Sequence, residues 1–219
     1  MIWHRNFKDW NTDDVAKTFG LSHTNVCALL SEWASSRHPV PDELSGWLEN
    51  RRNELFRLQF AWNEQELMAR FIGPLLTSID FLGANYNLFH QRTLSIKFQA
   101  RKTSGLVDGM VATGIFVPQH PFFFLQEYKK SQGYDSDPFG QLLISMVAAQ
   151  QLNNDGQPLY GCYVIGKIWT FVLLDGQQYA TTQSYDATDA GELQIIWSML
   201  VEVKRIVEER VERLLAQIE

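Results

Sequence analysis

Three residues on two neighbouring segments have the types and spacing of a hydrolytic centre. Asp108 lies in G-L-V-D-G-M-V, and Glu127 and Lys129 lie in F-F-F-L-Q-E-Y-K-K. Both segments read as short buried strands. Alternate side chains of a strand share a face, so Glu127 and Lys129 point one way and Tyr128 the other. A carboxylate and an ammonium at i and i+2, beside a second carboxylate on the preceding strand, can hold a divalent metal next to an activated water. That is the equipment of metal-assisted hydrolysis, most often of a phosphodiester.

Each residue also has a simpler reading. Asp108, set between Val107 and Gly109-Met110, is costly to bury unless it is paired or coordinates a cation. A hydrogen-bonded aspartate at a strand end or bulge would also satisfy it. The run Phe122 to Leu125 marks a central strand buried on both faces. Its polar end then stands at the mouth of the sheet, where α/β sites collect. There Glu127 would ligate the metal, and Lys129 would orient or deprotonate the water and steady developing phosphate charge. A cross-strand salt bridge explains one pair but not both carboxylates. Asn63 is a natural N-cap with Glu66 as its capping-box partner. Glu64 instead lines up with Met68, Phe71 and Leu75 and points toward the sheet as a third carboxylate, or serves as a charge in the first helical turn. Gln141, one turn into the helix after Lys129, would bind a phosphate or a base, or simply face solvent.

The elements that must position these residues follow from the pattern. Residues 11–36 read as two helical pieces broken near Gly20. Ala16, Gly20 and Val26 fall where a helix-turn-helix places its small, turn and core residues. The second piece, from about Ser22, carries no Lys or Arg for phosphate contacts, so an ordinary αα-hairpin is the competing reading. After the linker R-H-P-V-P-D, a helix runs from about Asp42 to Ala61. A second helix starts at Asn63, with Pro74 kinking it. Strands are expected at 93–100, 106–112 and 121–128, then a helix from Asp137-Pro138 to about Leu152. A meander follows at 159–165, 168–174 and 177–184, with Gly166-Lys167 and Asp175-Gly176 as turns. A long helix closes the sequence from about Asp189. The expected architecture is α/β, a mixed sheet covered by helices. A helical region over 1–60 precedes the main domain over 61–219.

Composition sets the bounds. The 219 residues are 45% hydrophobic and 13% aromatic, enough for a real core. The net charge of −6 argues against a general nucleic-acid coat. Locally the balance reverses: from Arg92 to Lys130 the bases are Arg92, Lys97, Arg101, Lys102, Lys129 and Lys130, and the only acids are Asp108 and Glu127. That stretch suits a polyanion, with Lys102 and Lys130 as substrate contacts, or it is a set of solvated edge charges. Cys27 and Cys162 lie outside any metal-ligand spacing, and the histidines have no i+3 or i+4 partner for zinc. With no apolar leader and no stretch long enough to span a bilayer, a reduced, cytoplasmic, membrane-free protein is expected.

The placement of Asp108, Glu127 and Lys129 resembles the restriction-endonuclease-like, or PD-(D/E)XK, phosphodiesterase superfamily. Its α-β-β-β-α-β core matches the expected element order over roughly residues 60–175. N-E-Q-E-L-M-A-R-F-I-G-P-L-L-T-S-I-D-F is similar to the first helix of the nuclease domain of type I restriction motor subunits. There a glutamate precedes I-x-P-x-L, which favours Glu64 over Glu66. Gln141 looks like the helix glutamine of RecB-like members, although Ser145 replaces their tyrosine and Val107 replaces the proline before the aspartate. The chain contains no G-x-x-x-x-G-K-[ST] phosphate loop for a motor. The resemblance implies cleavage of DNA, less readily RNA, in defence or repair, with Mg²⁺ (or Mn²⁺ in its place) held by Asp108, Glu127 and Glu64. The same fold also serves as an inactive nucleic-acid-binding or regulatory scaffold. Val207, Val211, Leu214 and Ile218, spaced 4-3-4 among charges, would make a homodimer contact through the last helix, or pack on the chain's own sheet.

Overall fold

The computed structural model describes residues 3–98, 101–133 and 135–217. Its centre is a nine-stranded mixed sheet. The strands are β1 (Trp3–Asn6), β2 (Ser22–His23), β3 (Tyr86–Phe98), β4 (Arg101–Thr113), β5 (Gln119–Lys129), β6 (Leu159–Ile165), β7 (Ile168–Asp175), β8 (Gln178–Thr181) and β9 (Tyr185–Asp186). The helices are α1 (Thr12–Phe19), α2 (Ala28–Ser35), α3 (Asp42–Leu58), α4 (Glu64–Leu67), α5 (Gly73–Ile79), α6 (Pro138–Asn153) and α7 (Ala190–Leu215). The sheet order is β1-β4-β5-β6-β7-β8-β2, with β3 along β4 and β9 along β7. The strands expected at 93–100 and 106–112 are longer than their apolar runs. Gln99 and Ala100 lie outside the described residues.

Each face of the sheet has its own core. On one, α2, α3, α4, α5 and α7 bury Trp33, Leu55, Phe71, Leu75, Ile196 and Leu200 against Phe123, Phe124 and Phe171. On the other, α1 and α6 cover Met110, Leu125 and Val172. Helix α6 is buried around its whole circumference from Leu142 to Ala149, as a helix enclosed between a sheet and a further helix must be; its one polar side chain there, Ser145, donates to the Leu142 carbonyl at 2.7 Å. Gly140 permits that enclosure: a Cβ there would stand 2.6 Å from the Asn11 carbonyl carbon at the start of α1.

The helix bearing Glu64 begins as its sequence indicates. The Asn63 side chain accepts from the Glu66 N–H at 2.9 Å, and the Glu66 carboxylate accepts from the Asn63 N–H at 2.9 Å. Pro74 then disturbs the ladder. Residues Met68–Ile72 widen into a π turn before α5 resumes. Pro74 has no N–H for the Arg70 carbonyl, and Arg51 Nη1 reaches that oxygen instead, at 3.5 Å.

Three expectations differ from the structure. Residues 1–60 are not a purely helical extension. Strand β1 pairs in parallel with β4 over Arg101–Ser104, and β2 pairs in parallel with β8 over Gln178–Tyr179. The second helix of the hairpin starts at Ala28 rather than near Ser22. The Ser22 and Thr24 N–H groups bond the Gln177 and Tyr179 carbonyls at 2.8 and 2.9 Å, which satisfies the backbone in an extended form. Val26 is exposed rather than a core residue, so the helix-turn-helix geometry is not formed. On α7, Val207 and Val211 are buried in the chain's own core. The stripe read as a dimer contact is thus already covered at those positions. Ile218 lies outside the described residues.

Candidate active site

The sheet separates where the predicted residues stand. Pairing of β4 with β5 ends at Gly109↔Gln126, whereas β5 continues beside β6 as far as Lys129↔Ile165. Asp108 and Glu127, one step beyond the last pair, flank the opening. The Tyr128 N–H, released from the β4 ladder, donates to Asp108 Oδ2 at 2.8 Å. The other oxygen, Oδ1, accepts from Gln91 Nε2 at 2.6 Å. Gln91 stands opposite Asp108 in the β3–β4 hairpin and has φ 52°, a conformation few non-glycine residues adopt. Asp108 is therefore oriented from both neighbouring strands. His90 Nδ1 lies 3.2 Å from the Asp108 carbonyl oxygen.

Glu127 and Lys129 do share a face, as strand alternation requires. Lys129 Nζ donates to Glu127 Oε1 at 2.6 Å and lies 4.0 Å from Glu64 Oε1. The capping box commits Glu66, whereas Glu64 faces the lysine. Glu127 is 6% exposed. Burial, reinforced by the charge of Asp108, pushes its carboxyl up to about 8, against the opposing pull of Lys129. Glu64 is also raised, by burial first, while Lys129 and Lys130 act to lower it and Asp108 to raise it. For Lys129, burial acts downward, but Glu127, Glu64 and Asp108 reverse this and hold it above its ordinary value.

The raised Glu127 has a consequence for stability. Unfolded, the carboxyl ionises near 4.5; folded, it keeps its proton to about 8. Between those values folding takes up a proton, so stability falls as pH rises. In chelator, the protein is expected to lose up to about 1.4 kcal/mol per pH unit across that window. Glu127→Gln should flatten the slope. Urea denaturation at several pH values checks this; an unchanged slope in the variant overturns the assignment.

The available ligands are hard carboxylate oxygens, and each Asp108 oxygen has a lone pair beyond the hydrogen bond it already accepts. Mutual repulsion among Glu127, Asp108 and Glu64 is the condition a cation relieves. The residues thus fit such an ion in kind. Among the described residues, however, no three His, Cys, Asp or Glu side chains stand grouped so that they could hold a metal ion as placed.

The other predicted contacts are placed differently. Lys130 follows the site directly, and its charge reaches Glu64. Lys102 pairs opposite Lys97, six residues along β4 from Asp108, or about 20 Å of strand. Gln141 is buried at 7% exposure, which excludes the solvated reading, but it does not line the cleft onto which Asp108 opens. Asp108, Glu64 and Tyr128 open onto a cleft of about 960 Å³, walled by Met68 and Pro74 and reached by Trp47 from α3. Gln91, His90 and Trp47 carry no signal in the sequence, because each reaches the site only through the register of the hairpin or the packing of α3. Among the described residues, no helix is long and apolar enough to cross a membrane. Compared with known proteins, the chain matches no family model and no curated relative.

Proposed function

We propose that this chain is a Mg²⁺-dependent nuclease, with DNA as the first candidate substrate and RNA the second. The observation that carries the reading is the Glu127–Lys129 pair beside Asp108 and Glu64 at the point where β4 and β5 part. The order α4–α5, β3, β4, β5, α6, β6 supports a restriction-endonuclease-like core. Asp108 and Glu127, with Glu64, would hold the cation. When bound, it supplies Lewis-acid polarisation of the phosphate and a water of lowered pKa. Asp108 is fixed for that role by the Tyr128 N–H and Gln91. Lys129, held in its charged form by three carboxylates, acts as a donor rather than a base. Its ammonium orients the attacking water and steadies charge that develops on the phosphate oxygens. A role in defence or repair is the biological setting such an activity would serve.

The test is cleavage of single-stranded DNA, duplex DNA and RNA by purified protein. Mg²⁺ or Mn²⁺ should support cutting, chelator should stop it, and Asp108→Asn should lower the rate roughly 10³-fold, the scale of losing a preorganised charge. Absence of metal-dependent cleavage of all three sinks the proposal. Binding without cleavage would support the inactive-scaffold reading instead.

A further inference from the structure

We infer that the cleft beside the carboxylates receives an unpaired nucleobase, so that the substrate is single-stranded nucleic acid rather than intact duplex. The inference rests on the nuclease reading for the placing of the scissile phosphate near Asp108. The base contacts are argued from the cleft itself.

Three properties of the cleft favour a base over a run of phosphates. The first is charge. Its lining has two carboxylates, Glu64 and Asp108, and among the described residues no lysine or arginine. Duplex affinity is dominated by phosphate contacts with Lys and Arg. A wall without cations gives a second strand nothing to hold, while Lys129 and Lys130 at the sheet's mouth suffice for the phosphate at the point of cleavage.

The second is surface. Trp47, partly buried against the core through α3, reaches the cleft from one side, and Met68 and Pro74 form an apolar wall. An indole with an accessible face is a stacking platform that accepts any base, because every base has a π face. Around the cleft stand Gln65, Ser78 and Gln91; the Gln65 amide, and the Gln91 Oε1 and Ser78 Oγ as acceptors, can meet a base edge, while the Gln91 Nε2 and the Ser78 hydroxyl proton are committed to Asp108 and the Leu75 carbonyl. This is the composition of a pocket for a flat, polar-edged ring: mostly apolar, with a few hydrogen-bonding groups.

The third is size and continuity. At about 960 Å³ the cleft lies at the upper end of the roughly 300–1,000 Å³ typical of small-molecule sites. It has room for a nucleotide unit or two, not for a double helix. Asp108 belongs both to the cleft and to the catalytic cluster, so a base seated against Trp47 would be attached to a backbone that passes the carboxylates.

The experiment reads binding without turnover. Fluorescence anisotropy would follow a short labelled DNA single strand, the blunt duplex of the same sequence and an abasic single strand of the same length. Each is titrated with Asp108→Asn protein in Mg²⁺ and with otherwise native protein in chelator. The single strand should bind at least about tenfold tighter than the duplex or the abasic strand. Trp47→Ala should weaken the single strand about tenfold and the duplex less than about twofold. Trp47→Phe, which keeps an aromatic face and guards against misfolding as the cause, should restore binding to within about threefold of the parent. The inference is overturned if the duplex or the abasic strand binds as well as the single strand, if Trp47→Ala binds it unchanged, or if none binds. Failure of the native protein to cut would sink the nuclease reading and leave these binding results standing.

Discussion

Lys129→Ala is expected to lower metal-dependent cleavage by roughly 10³-fold, with most of the loss in kcat. Lys129 is, among the described residues, the one ammonium within 4.0 Å of both Glu127 and Glu64. Its removal takes a fixed positive charge from the place where phosphate charge develops, and leaves Glu127 buried without its partner. Glu127 can answer by holding its proton more firmly, which limits the damage to folding but weakens its capacity as a metal ligand. The fold should survive and the chemistry should not. Lys129→Arg separates two roles. Arginine never gives up its proton near neutral pH, so it can serve as a donor but not as a base. Retention of a substantial part of the rate in Lys129→Arg would agree with the raised Lys129 of the folded chain. A Lys129→Ala protein that cuts at the native rate would remove this residue from the mechanism. The readout is single-turnover cleavage with saturating protein, alongside thermal melts of each variant.

Trp33→Ala is expected to destabilise the fold by about 4 kcal/mol, within the 3–5 kcal/mol range for deleting a buried aromatic. Trp33 on α2 is 2% exposed. Its ring meets Tyr160 edge-on at 4.9 Å and Phe171 at 5.2 Å, and its Nε1 donates to the Met199 carbonyl at 2.8 Å. One side chain from the N-terminal region thus joins β6, β7 and α7. Against a total stability of about 5–15 kcal/mol, the loss should lower Tm by about 10 °C. Trp33→Phe keeps the ring and loses the hydrogen bond, at a cost of about 1–2 kcal/mol. The same packing predicts that a chain beginning at residue 61 lacks a cooperative melt, because β1, β2 and Trp33 complete one sheet and one core. A cooperative transition in that fragment, matching the intact protein, would show that residues 1–60 are dispensable to the fold. Circular dichroism melts decide both points.

Parts of the site were legible because their causes are local. The i and i+2 alternation of Glu127 and Lys129 needs only that Phe122–Lys129 be extended. The capping box of Asn63 and Glu66 spans four residues, and it left Glu64 to be read as the carboxylate facing the sheet. The turn at Gly166-Lys167 and the start of α7 after Asp189 fall where their signals stand, and the turn expected at Asp175-Gly176 lies one residue on, at Gly176-Gln177, because Asp175 still pairs with Gln178. Where the cause is distant, local patterning was silent. Strand β1 has four residues and β2 two. Neither has a period to detect, and their partners on β4 and β8 lie far along the chain.

The sequence by itself determined the elements that bear Asp108, Glu127, Lys129 and Glu64, and the α/β class they imply, because periodicity, caps and turn residues act over a few bonds. Tertiary structure decided the rest. Register put Gln91 opposite Asp108 and ended the β4–β5 ladder at Gly109, so that the aspartate could take the Tyr128 N–H. Packing assigned the Val207 and Val211 stripe to the chain's own core, where a 4-3-4 spacing alone serves a partner helix equally well. Burial raised Glu127, since desolvation depends on everything folded around the carboxylate and not on its neighbours in the chain. The cleft that brings Trp47 to the carboxylates exists only once α3 has docked on the sheet.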